Sequence, residues 1–270
     1  MTRLSRTGID YGHGGGRVGY AWNLWTGCSN TACPCRADCW ALAMCRRYGW
    51  PQEPTLKTDY ERVLRAPLGM TTPARFLVQF TSDFLDPKIH WGRREQIWCR
   101  VQECPRHQFL FLTKQYGAAE EFFGERAVLP NVWVGASICD YKSGRPAVNS
   151  LSRLNRMGWH TWLSVEPLLT RDVAQGIGTP KALATIEWMV VGALTRNGRT
   201  VGQTVGGTRP ALVERLIWFA PEAGVGVWLK SNLEPIIQQV TDPRSGEPFR
   251  SVTDWQDPVG GKEQGIETVE

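Results

Sequence analysis

Short apolar runs recur along the chain, and they are continuous instead of alternating with polar residues. The clearest runs cover residues 75–80, 108–112, 132–138, 161–165, 187–192 and 225–229, and a further strand is indicated near residues 17–22. A continuous apolar run is typical of a strand that is covered on both faces, as in a parallel sheet. The pattern therefore predicts parallel strands buried between other layers.

Helical patterns fill the intervals between these runs. The clearest cover residues 35–48, 91–104, 118–124, 148–157 and 210–219. Strands that alternate with helices through short connections indicate right-handed βαβ units. We therefore predict an α/β fold, a partial or full (β/α) barrel with mostly parallel strands. It forms a single domain over residues 17–253, between a flexible leader (1–16) and a loosely ordered tail (254–270).

Polar residues follow most of the predicted strands. They are Asn23 to Cys28, Thr81 to Asp83, Thr113 and Lys114, Ser137 to Cys139, Ser164 to Pro167, and Lys230 to Asn232. Functional residues of a (β/α) barrel lie at the C-terminal ends of its strands. The sequence thus predicts a pocket where these segments meet.

Composition narrows the protein class. The hydrophobic share of 42% and the charged share of 21% are ordinary for a globular protein. No apolar run reaches membrane-spanning length, and the polar, glycine-rich start has no signal-peptide pattern. We expect a cytoplasmic protein without a membrane partner, in which thiols stay reduced and clustered cysteines bind metals instead of pairing.

Charge and aromatic content leave the partner open. The net charge is +5, which is compatible with a polyanion. The thirteen tryptophans suit either core packing or base stacking. Residues 195–209 contain three arginines, several glycines and no acid, which suits either phosphate contacts or a mobile surface loop.

Cysteine clustering is the strongest chemical signal. Four of the eight cysteines, Cys28, Cys33, Cys35 and Cys39, fall within twelve residues. Cys35 and Cys39 are expected on one face at the start of a helix, where the helix dipole favours thiolates. Three thiolates would hold a [4Fe–4S] cluster with one open iron, whereas four would close a tetrahedral zinc site. Spacing alone leaves an iron–sulfur cluster, zinc and unliganded cysteines open.

Several motifs together resemble a known family. They are Trp22-Asn23, Thr26-Gly27-Cys28, Cys39-Trp40-Ala41, Ser82-Asp83-Phe84, Leu112-Thr113-Lys114, Asn131-Val132-Trp133-Val134-Gly135, Ser164-Val165-Glu166-Pro167-Leu168-Leu169, Trp188, Val191-Gly192 and Arg209-Pro210. In this combination the chain resembles the phage Gp37/Gp68 family, which is related to radical S-adenosylmethionine (SAM) enzymes of the spore photoproduct lyase type. The resemblance covers about residues 20–232.

The resemblance implies a radical SAM type of barrel with a [4Fe–4S] cluster and SAM as cofactors. It implies Cys28, Cys35 and Cys39 as the iron ligands, with Cys33 as the alternate. The family has six residues between its first two cysteines, as here, but two between the second and third, where this chain has three. Trp40 replaces the family's Tyr after the third cysteine and is assigned to the cofactor-binding residues.

Strand-end residues receive cofactor roles by the same resemblance. Ser82 is expected to accept a hydrogen bond from the SAM amino group, Lys114 to pair with the SAM carboxylate, and Ser137 to hold the ribose. The alternatives are turn serines for Ser82 and Ser137 and a solvated strand-end lysine for Lys114.

Three further residues are catalytic candidates. Glu166 is expected to hydrogen-bond the substrate or the adenine edge, and Asp83 to act in a similar way. Cys139 is a candidate hydrogen donor that quenches a product radical. The alternatives are structural carboxylates for Glu166 and Asp83 and a buried structural thiol for Cys139.

The activity implied is that of a radical SAM isomerase or lyase. We expect it to rearrange or cleave a modified thymidine or other pyrimidine in phage DNA, with the base flipped out of the duplex. DNA or a modified nucleotide and a one-electron donor such as a flavodoxin-like protein would be its partners. The same radical chemistry on a free nucleotide or small molecule is one alternative. A zinc-stapled nucleic-acid-binding protein without catalysis is the other.

Overall fold

The computed structural model describes residues 4–13, 16–34, 36–169, 173–196, 199–200, 208–257 and 259. Its strands are β1 (Val18–Trp22), β2 (Trp25–Thr26), β3 (Thr55–Leu56), β4 (Ala74–Val78), β5 (Gln108–Thr113), β6 (Val132–Ile138), β7 (His160–Val165), β8 (Trp188–Val191), β9 (Thr195–Arg196), β10 (Arg199–Thr200) and β11 (Gly226–Leu229). Its α-helices are α1 (Trp40–Tyr48), α2 (Tyr60–Leu64), α3 (Trp91–Gln102), α4 (Tyr116–Gly124), α5 (Tyr141–Arg156), α6 (Val173–Ile177), α7 (Pro180–Leu183), α8 (Pro210–Ile217), α9 (Ala220–Ala223) and α10 (Glu234–Ile237).

Seven strands form one sheet in the order β1-β4-β5-β6-β7-β8-β11. Every neighbouring pair is parallel, and the sheet is curled into a half-barrel. Sequence order and spatial order agree because each crossover returns the chain to the next position of the sheet. The prediction of an α/β partial barrel with mostly parallel strands is confirmed.

Two apolar layers cover the two faces of the sheet. On the outer face, alternate strand residues pack under the helices, in one cluster around Phe76, Phe109 and Val134 and another around Leu163, Met189 and Val227. On the inner face, a third cluster contains Leu77, Leu110, Trp133, Trp162, Trp188 and Val190. Both faces are therefore covered, which is why the strands read as continuous apolar runs.

Aromatic rings fill the inner face. The Trp162 and Trp188 rings lie 5.3 Å apart, and the Tyr11 ring packs on both, with centroid distances of 5.9 and 5.6 Å. The Trp162 indole donates a hydrogen bond to the Phe111 carbonyl (3.1 Å) and occupies the space beside Gly135. Eight of the thirteen tryptophans are buried, so core packing accounts for most of them.

Residues from both terminal segments belong to the packed structure. Tyr11, from the segment assigned to a leader, is 2% exposed, and Arg75 donates to the carbonyls of Tyr11 (3.0 Å) and His13 (3.2 Å). In the segment assigned to the tail, Trp255 is 4% exposed and Val259 is 5% exposed. The domain limits drawn at residues 17 and 253 thus leave out side chains that complete the core.

Three helices begin elsewhere than the sequence pattern predicted, and for α4 the difference is only from residue 118 to Tyr116. Helix α1 begins at Trp40 and not at residue 35, and a 3-10 turn at Arg36–Asp38 precedes it. Helix α5 begins at Tyr141, seven residues before the predicted start at 148, because Asp140 and Ser143 form a capping box. Within the described residues, no helix is long and apolar enough to cross a membrane.

Candidate functional site

A cavity of about 320 Å³ lies at the C-terminal ends of the parallel strands. It brings together eight of the residues singled out by sequence, namely Cys28, Cys39, Trp40, Ser82, Asp83, Lys114, Ser137 and Glu166. Cys33 lines it as well. The volume falls in the range of small-molecule sites. The strand ends and the cysteine loop, which is the segment from residue 28 to 39, thus face one common space.

Cys28 is positioned by a tight turn. It follows β2 directly after Gly27, whose φ of +88° places it in the left-handed region. A Cβ on Gly27 would lie 2.3 Å from the Glu53 carbonyl oxygen, so only glycine fits this turn. The Cys28 N–H then donates to the Gln52 carbonyl (2.8 Å), which ties the start of the cysteine loop to the segment that leads into β3.

Cys39 is the N-cap residue of α1, and Cys33 lies six residues before it on the same cavity. Cys35, a member of the expected ligand set, lies outside the described residues. The expectation that Cys35 and Cys39 share one face of a helix therefore stays a prediction for Cys35. For Cys39 it is corrected, because this residue precedes the first turn of α1 instead of lying within the helix.

Asp86 anchors the cysteine loop and was not singled out by the sequence analysis. Its carboxylate is 1% exposed and accepts from the Ser29 N–H (2.9 Å), the Ser29 hydroxyl (2.7 Å) and the Lys88 N–H (3.0 Å). From the other side, Arg36 donates to the carbonyls of Cys28 (3.3 Å) and Asn30 (3.1 Å). These contacts restrict the loop from within and from outside.

Gln79 is a second positioning residue that the sequence analysis did not identify. It follows β4 with φ of +60°, which is uncommon for a residue other than glycine, and it is fully buried. Its side-chain carbonyl accepts from the N–H groups of Leu24 and Trp25. Gln79 therefore holds Leu24 and Trp25, which lead into the cysteine loop, from the neighbouring strand of the sheet.

The donor type at this site fits a soft metal centre, although burial opposes ionisation of the Cys28 thiol. Burial raises the pKa of Cys28, and the negative charges of Asp86, Asp83 and Cys39 raise it further. Cys39 thus lies close enough to Cys28 for its charge to act on the pKa of Cys28. Among the described residues, no group of three potential ligands is already gathered around a metal position. Three cysteines on one cavity wall nonetheless provide the donor type that iron–sulfur clusters use.

Asp83 joins the ends of β4 and β5. Its carboxylate accepts from the Thr113 hydroxyl (2.7 Å), the Lys114 N–H (2.8 Å) and the Leu85 N–H (2.9 Å). Burial raises its pKa, and these hydrogen bonds act in the opposite direction. The three contacts make Asp83 a positioning residue for Lys114.

Lys114 and the two serines line the wall beside the cysteine loop. The Lys114 ammonium donates to the Ser137 hydroxyl (2.9 Å), so these residues form one polar patch at the ends of β5 and β6. The Ser82 hydroxyl donates to the Gly27 carbonyl (2.5 Å), one residue before Cys28. Ser82 thereby supports the cysteine loop.

Glu166 forms an ion pair with Lys230 on the opposite wall. The Lys230 ammonium also lies 5.6 Å from the centre of the Tyr11 ring. Burial raises the pKa of Tyr11, and the carboxylates of Glu166 and Asp10 raise it further. Asn232 accepts from the Ala193 N–H (3.0 Å) and donates to its carbonyl (3.1 Å), which fixes the loop after β8. From the sequence pattern, Lys230 was expected only as a strand-end residue.

Cys139 is not brought to the cavity. Its side chain is 2% exposed and is not among the residues that line the cavity. A Cys139 thiolate would raise the pKa of Tyr116, so this thiol lies near the Tyr116 ring, behind the cavity wall. In the 195–209 segment, β9 pairs with β10, while residues 197–198 and 201–207 lie outside the described residues.

Comparison with known proteins gives one family and one structural likeness. A solved structure of "Spore photoproduct lyase complexed with dinucleoside spore photoproduct" is similar with a TM-score of 0.47 and 10% identity. The likeness covers 82% of this chain but 64% of the lyase chain. No curated protein matches the sequence. Residues 16–203 match a family described as "Protein of unknown function (DUF5131)". Because this match spans more than half of the chain, the chain belongs to that family.

Proposed function

We propose that this protein is a radical SAM enzyme that uses a [4Fe–4S] cluster. One observation carries the proposal: Cys28 and Cys39, two of the three expected ligands, line the same cavity as the polar strand ends of a parallel half-barrel. The motif resemblance described above supports it independently of the fold. When bound, the cluster and SAM supply one-electron cleavage of a sulfonium and a carbon radical that abstracts hydrogen.

The chain's own residues have separable tasks in this proposal. Cys28, Cys35 and Cys39 hold the cluster. Lys114 offers a cation to a carboxylate, and its contact with Ser137 keeps the ammonium at the cavity wall. The aromatic inner layer below the cavity excludes water from that side, because Tyr11 and Trp162 are buried. A radical would therefore meet few solvent-borne quenchers on that side.

Glu166 and Lys230 provide the polar wall opposite the cysteine loop. A carboxylate beside an ammonium presents an acceptor next to a donor. The edge of a pyrimidine carries the complementary donor and acceptor. We propose a modified pyrimidine in DNA as the substrate, which the net charge of +5 supports. A free nucleotide is the alternative substrate.

Cluster reconstitution tests the proposal. The chain is purified without oxygen, reconstituted with iron and sulfide, and incubated with SAM and dithionite. We expect about four irons per chain and the formation of 5′-deoxyadenosine. Cys28→Ser, Cys35→Ser and Cys39→Ser should each abolish the product, whereas Cys33→Ser should retain it. Cys99→Ser is the matched control, because Cys99 is an exposed thiol on α3.

A zinc-stapled binding protein remains the second candidate, and the position of Cys33 on the same cavity favours it. In that case the purified chain is colourless and holds one zinc, and serine at any of the four loop cysteines releases it. Equal loss at Cys33 and Cys28 would therefore reject the three-cysteine ligand set.

A further inference from the structure

A second cleft lies beside the cysteine loop. Its volume is about 500 Å³, and it is formed by residues 4–9, the outer side of α1 and residues 57–63. Ile9, Trp40 and Phe80 line both this cleft and the first cavity. The two spaces are therefore neighbours that share a wall. We call the second one the α1 groove.

Exposed aromatic rings mark the α1 groove. Trp40 is 48% exposed and Trp50 is 39% exposed, and both line it. Tyr48 is 54% exposed and stacks on Trp50 with a centroid distance of 5.0 Å and an interplanar angle of 29°. Of the four exposed tryptophans, two lie in this groove. Large flat rings left open to solvent are unusual in a chain that buries most of its tryptophans.

The backbone holds the Tyr48–Trp50 pair in place. Helix α1 ends at Tyr48, and its C-cap residue Gly49 has φ of +67°, which reverses the chain direction. The Trp50 N–H then donates to the Cys45 carbonyl (2.8 Å), as in a helix C-cap. This local geometry brings Trp50 back against Tyr48. The stacked rings thus form a preorganised platform.

Positive charge surrounds the platform. Arg6, Lys57 and Arg62 line the α1 groove, and Arg46 and Arg47 occupy the last turn of α1. Asp59 is the one acid among the described lining residues, and it pairs with Arg62. Within the described residues, Arg6 and Lys57 form no ion pair. The described lining of the groove therefore combines exposed rings with more cations than acids.

We propose that the α1 groove binds a segment of single-stranded nucleic acid, with bases stacked on Trp50 and Trp40 and phosphates near Lys57 and Arg6. Alternating aromatic and cationic groups match the alternation of bases and phosphates along such a strand. A protein partner would use the apolar rings but would leave the cations unmatched. The inference deepens the proposed function, since it names the polymer that carries the substrate base.

The shared wall connects binding to the first cavity. Trp40 lines both spaces, so a strand on the platform delivers its adjacent base toward the strand-end residues. An enzyme that modifies a base must take that base out of the stack. Neighbouring nucleotides held in the α1 groove would keep the extruded base in place.

Fluorescence anisotropy with a labelled oligothymidylate of about 12 nucleotides tests the proposal. The whole chain is used as purified, without added cofactors. Trp50→Ala should raise the Kd at least about fivefold, and Trp50→Phe should restore most of the binding, because stacking needs a ring. Trp218→Ala is the matched control, since Trp218 is 58% exposed and lines neither cavity. Equal Kd values for Trp50→Ala and Trp218→Ala would overturn the proposal.

A second measurement examines the cations. Lys57→Ala should reduce the slope of log K against log salt by about 0.7, the share of one phosphate contact on a single strand. An unchanged slope for Lys57→Ala would contradict the phosphate placement. Oligouridylate and duplex DNA serve as further probes. If duplex DNA bound more tightly than either single strand, and Trp50→Ala did not change its Kd, the groove would be rejected as a single-strand site.

These outcomes are separable from the proposed function. Binding is measured without iron or SAM, so failure to form 5′-deoxyadenosine does not affect the Kd comparison. Conversely, product formation together with equal Kd values for both tryptophan variants would leave the radical chemistry intact and reject the groove alone.

Discussion

Lys230 and Glu166 form an ion pair across strand β8, because Glu166 follows β7 and Lys230 follows β11. Gly192, at the end of the intervening β8, leaves the space for the pair. A Cβ on Gly192 would lie 2.9 Å from Lys230 Cδ and 3.0 Å from Glu166 Cδ. The side chains are 15% and 26% exposed, so the charges are partly withdrawn from water. The pair therefore closes one wall of the cavity.

Removing one member of this pair should destabilise the protein more than removing both. We expect Glu166→Gln to lower the free energy of unfolding by about 1–2 kcal/mol, because it leaves the Lys230 ammonium half-buried without a counterion. In the double variant with Lys230→Met, the loss should be smaller than that of Glu166→Gln alone, and therefore also smaller than the sum of the two single losses. Urea unfolding of the two single variants and the double variant provides the comparison.

An exposed pair serves as the control for this experiment. Lys88 and Glu53 also form an ion pair, but their side chains are 59% and 58% exposed. Lys88→Ala should leave the urea midpoint unchanged within error, because water screens such pairs. Additive losses in the Glu166–Lys230 cycle would show that the two charges do not interact in solution.

The sequence predicted the sheet well because burial on both faces leaves a local signal. The predicted run at residues 132–138 has the same limits as β6. Helix starts were harder to place. Helix α5 begins with polar residues and contains Pro146 in its early turns, so its apolar stripe becomes visible only near residue 148. A capping box at Asp140 and Ser143 determines the start, and its Ser at N3 departs from the Glu or Gln of the usual sequence signature.

Positioning residues of the candidate site were not predictable in the same way. Asp86 contacts Ser29 across 57 positions of the chain, and Gln79 contacts Leu24 across 55. Their roles depend on long-range neighbours, for which a single sequence carries no signal. Strand-end rules correctly indicated where Lys114 and Glu166 would lie, since parallel strands end at one edge. The same rule indicated Cys139, whose side chain lies behind the cavity wall instead.

Gly135 should not tolerate a side chain. A Cβ at this position would lie 2.3 Å from Trp162 ring atoms and 2.8 Å from the Phe111 carbonyl oxygen. Because Trp162 is fully buried, neither group has space to move. We expect Gly135→Ala to lower the free energy of unfolding by about 1–3 kcal/mol, measured by urea denaturation.

Gly117 is the matched control for that substitution. It lies in helix α4, and a Cβ there would meet no atom within 4 Å. Gly117→Ala should be neutral or stabilise the protein by up to about 1 kcal/mol, because alanine favours the helix. If both substitutions had the same effect, close packing of Trp162 on β6 would be excluded.

Asp86 should affect how much iron the protein takes up, although it is not one of the expected ligands. Asp86→Ala removes three hydrogen bonds that hold Ser29 and Lys88. We expect lower iron content after reconstitution, although all thiols remain, because the loop loses its anchor next to Cys28. Ser29→Ala retains the backbone contact and should show an intermediate loss. Iron and thiol content are measured on the same samples. Full iron content in Asp86→Ala would mean that the loop is held by its other contacts alone.

His160 should make stability depend on pH through Glu187. Its Nδ1 lies 2.8 Å from the Glu187 carboxylate, and this hydrogen bond raises the pKa of His160. Because the pKa of His160 is higher in the folded state than the unfolded value of about 6.5, protonation of the ring stabilises the fold. This stabilisation is complete at a pH below the unfolded-state pKa and is lost as the pH rises through the folded-state pKa. The difference in unfolding free energy between the wild type and Glu187→Gln should therefore be larger near pH 5.5 than near pH 8.5.

Nuclear magnetic resonance titration of the His160 ring isolates this effect. In the wild type, the pKa should lie above about 6.5, and in Glu187→Gln it should fall, because the ring keeps its stack on Trp133 (4.7 Å) but loses the carboxylate. His107 provides an internal reference of opposite sign, since burial lowers its pKa and it lies far from Glu187 in the sheet order. If Glu187→Gln left the pKa of His160 unchanged, Glu187 would not be the cause of the pH dependence.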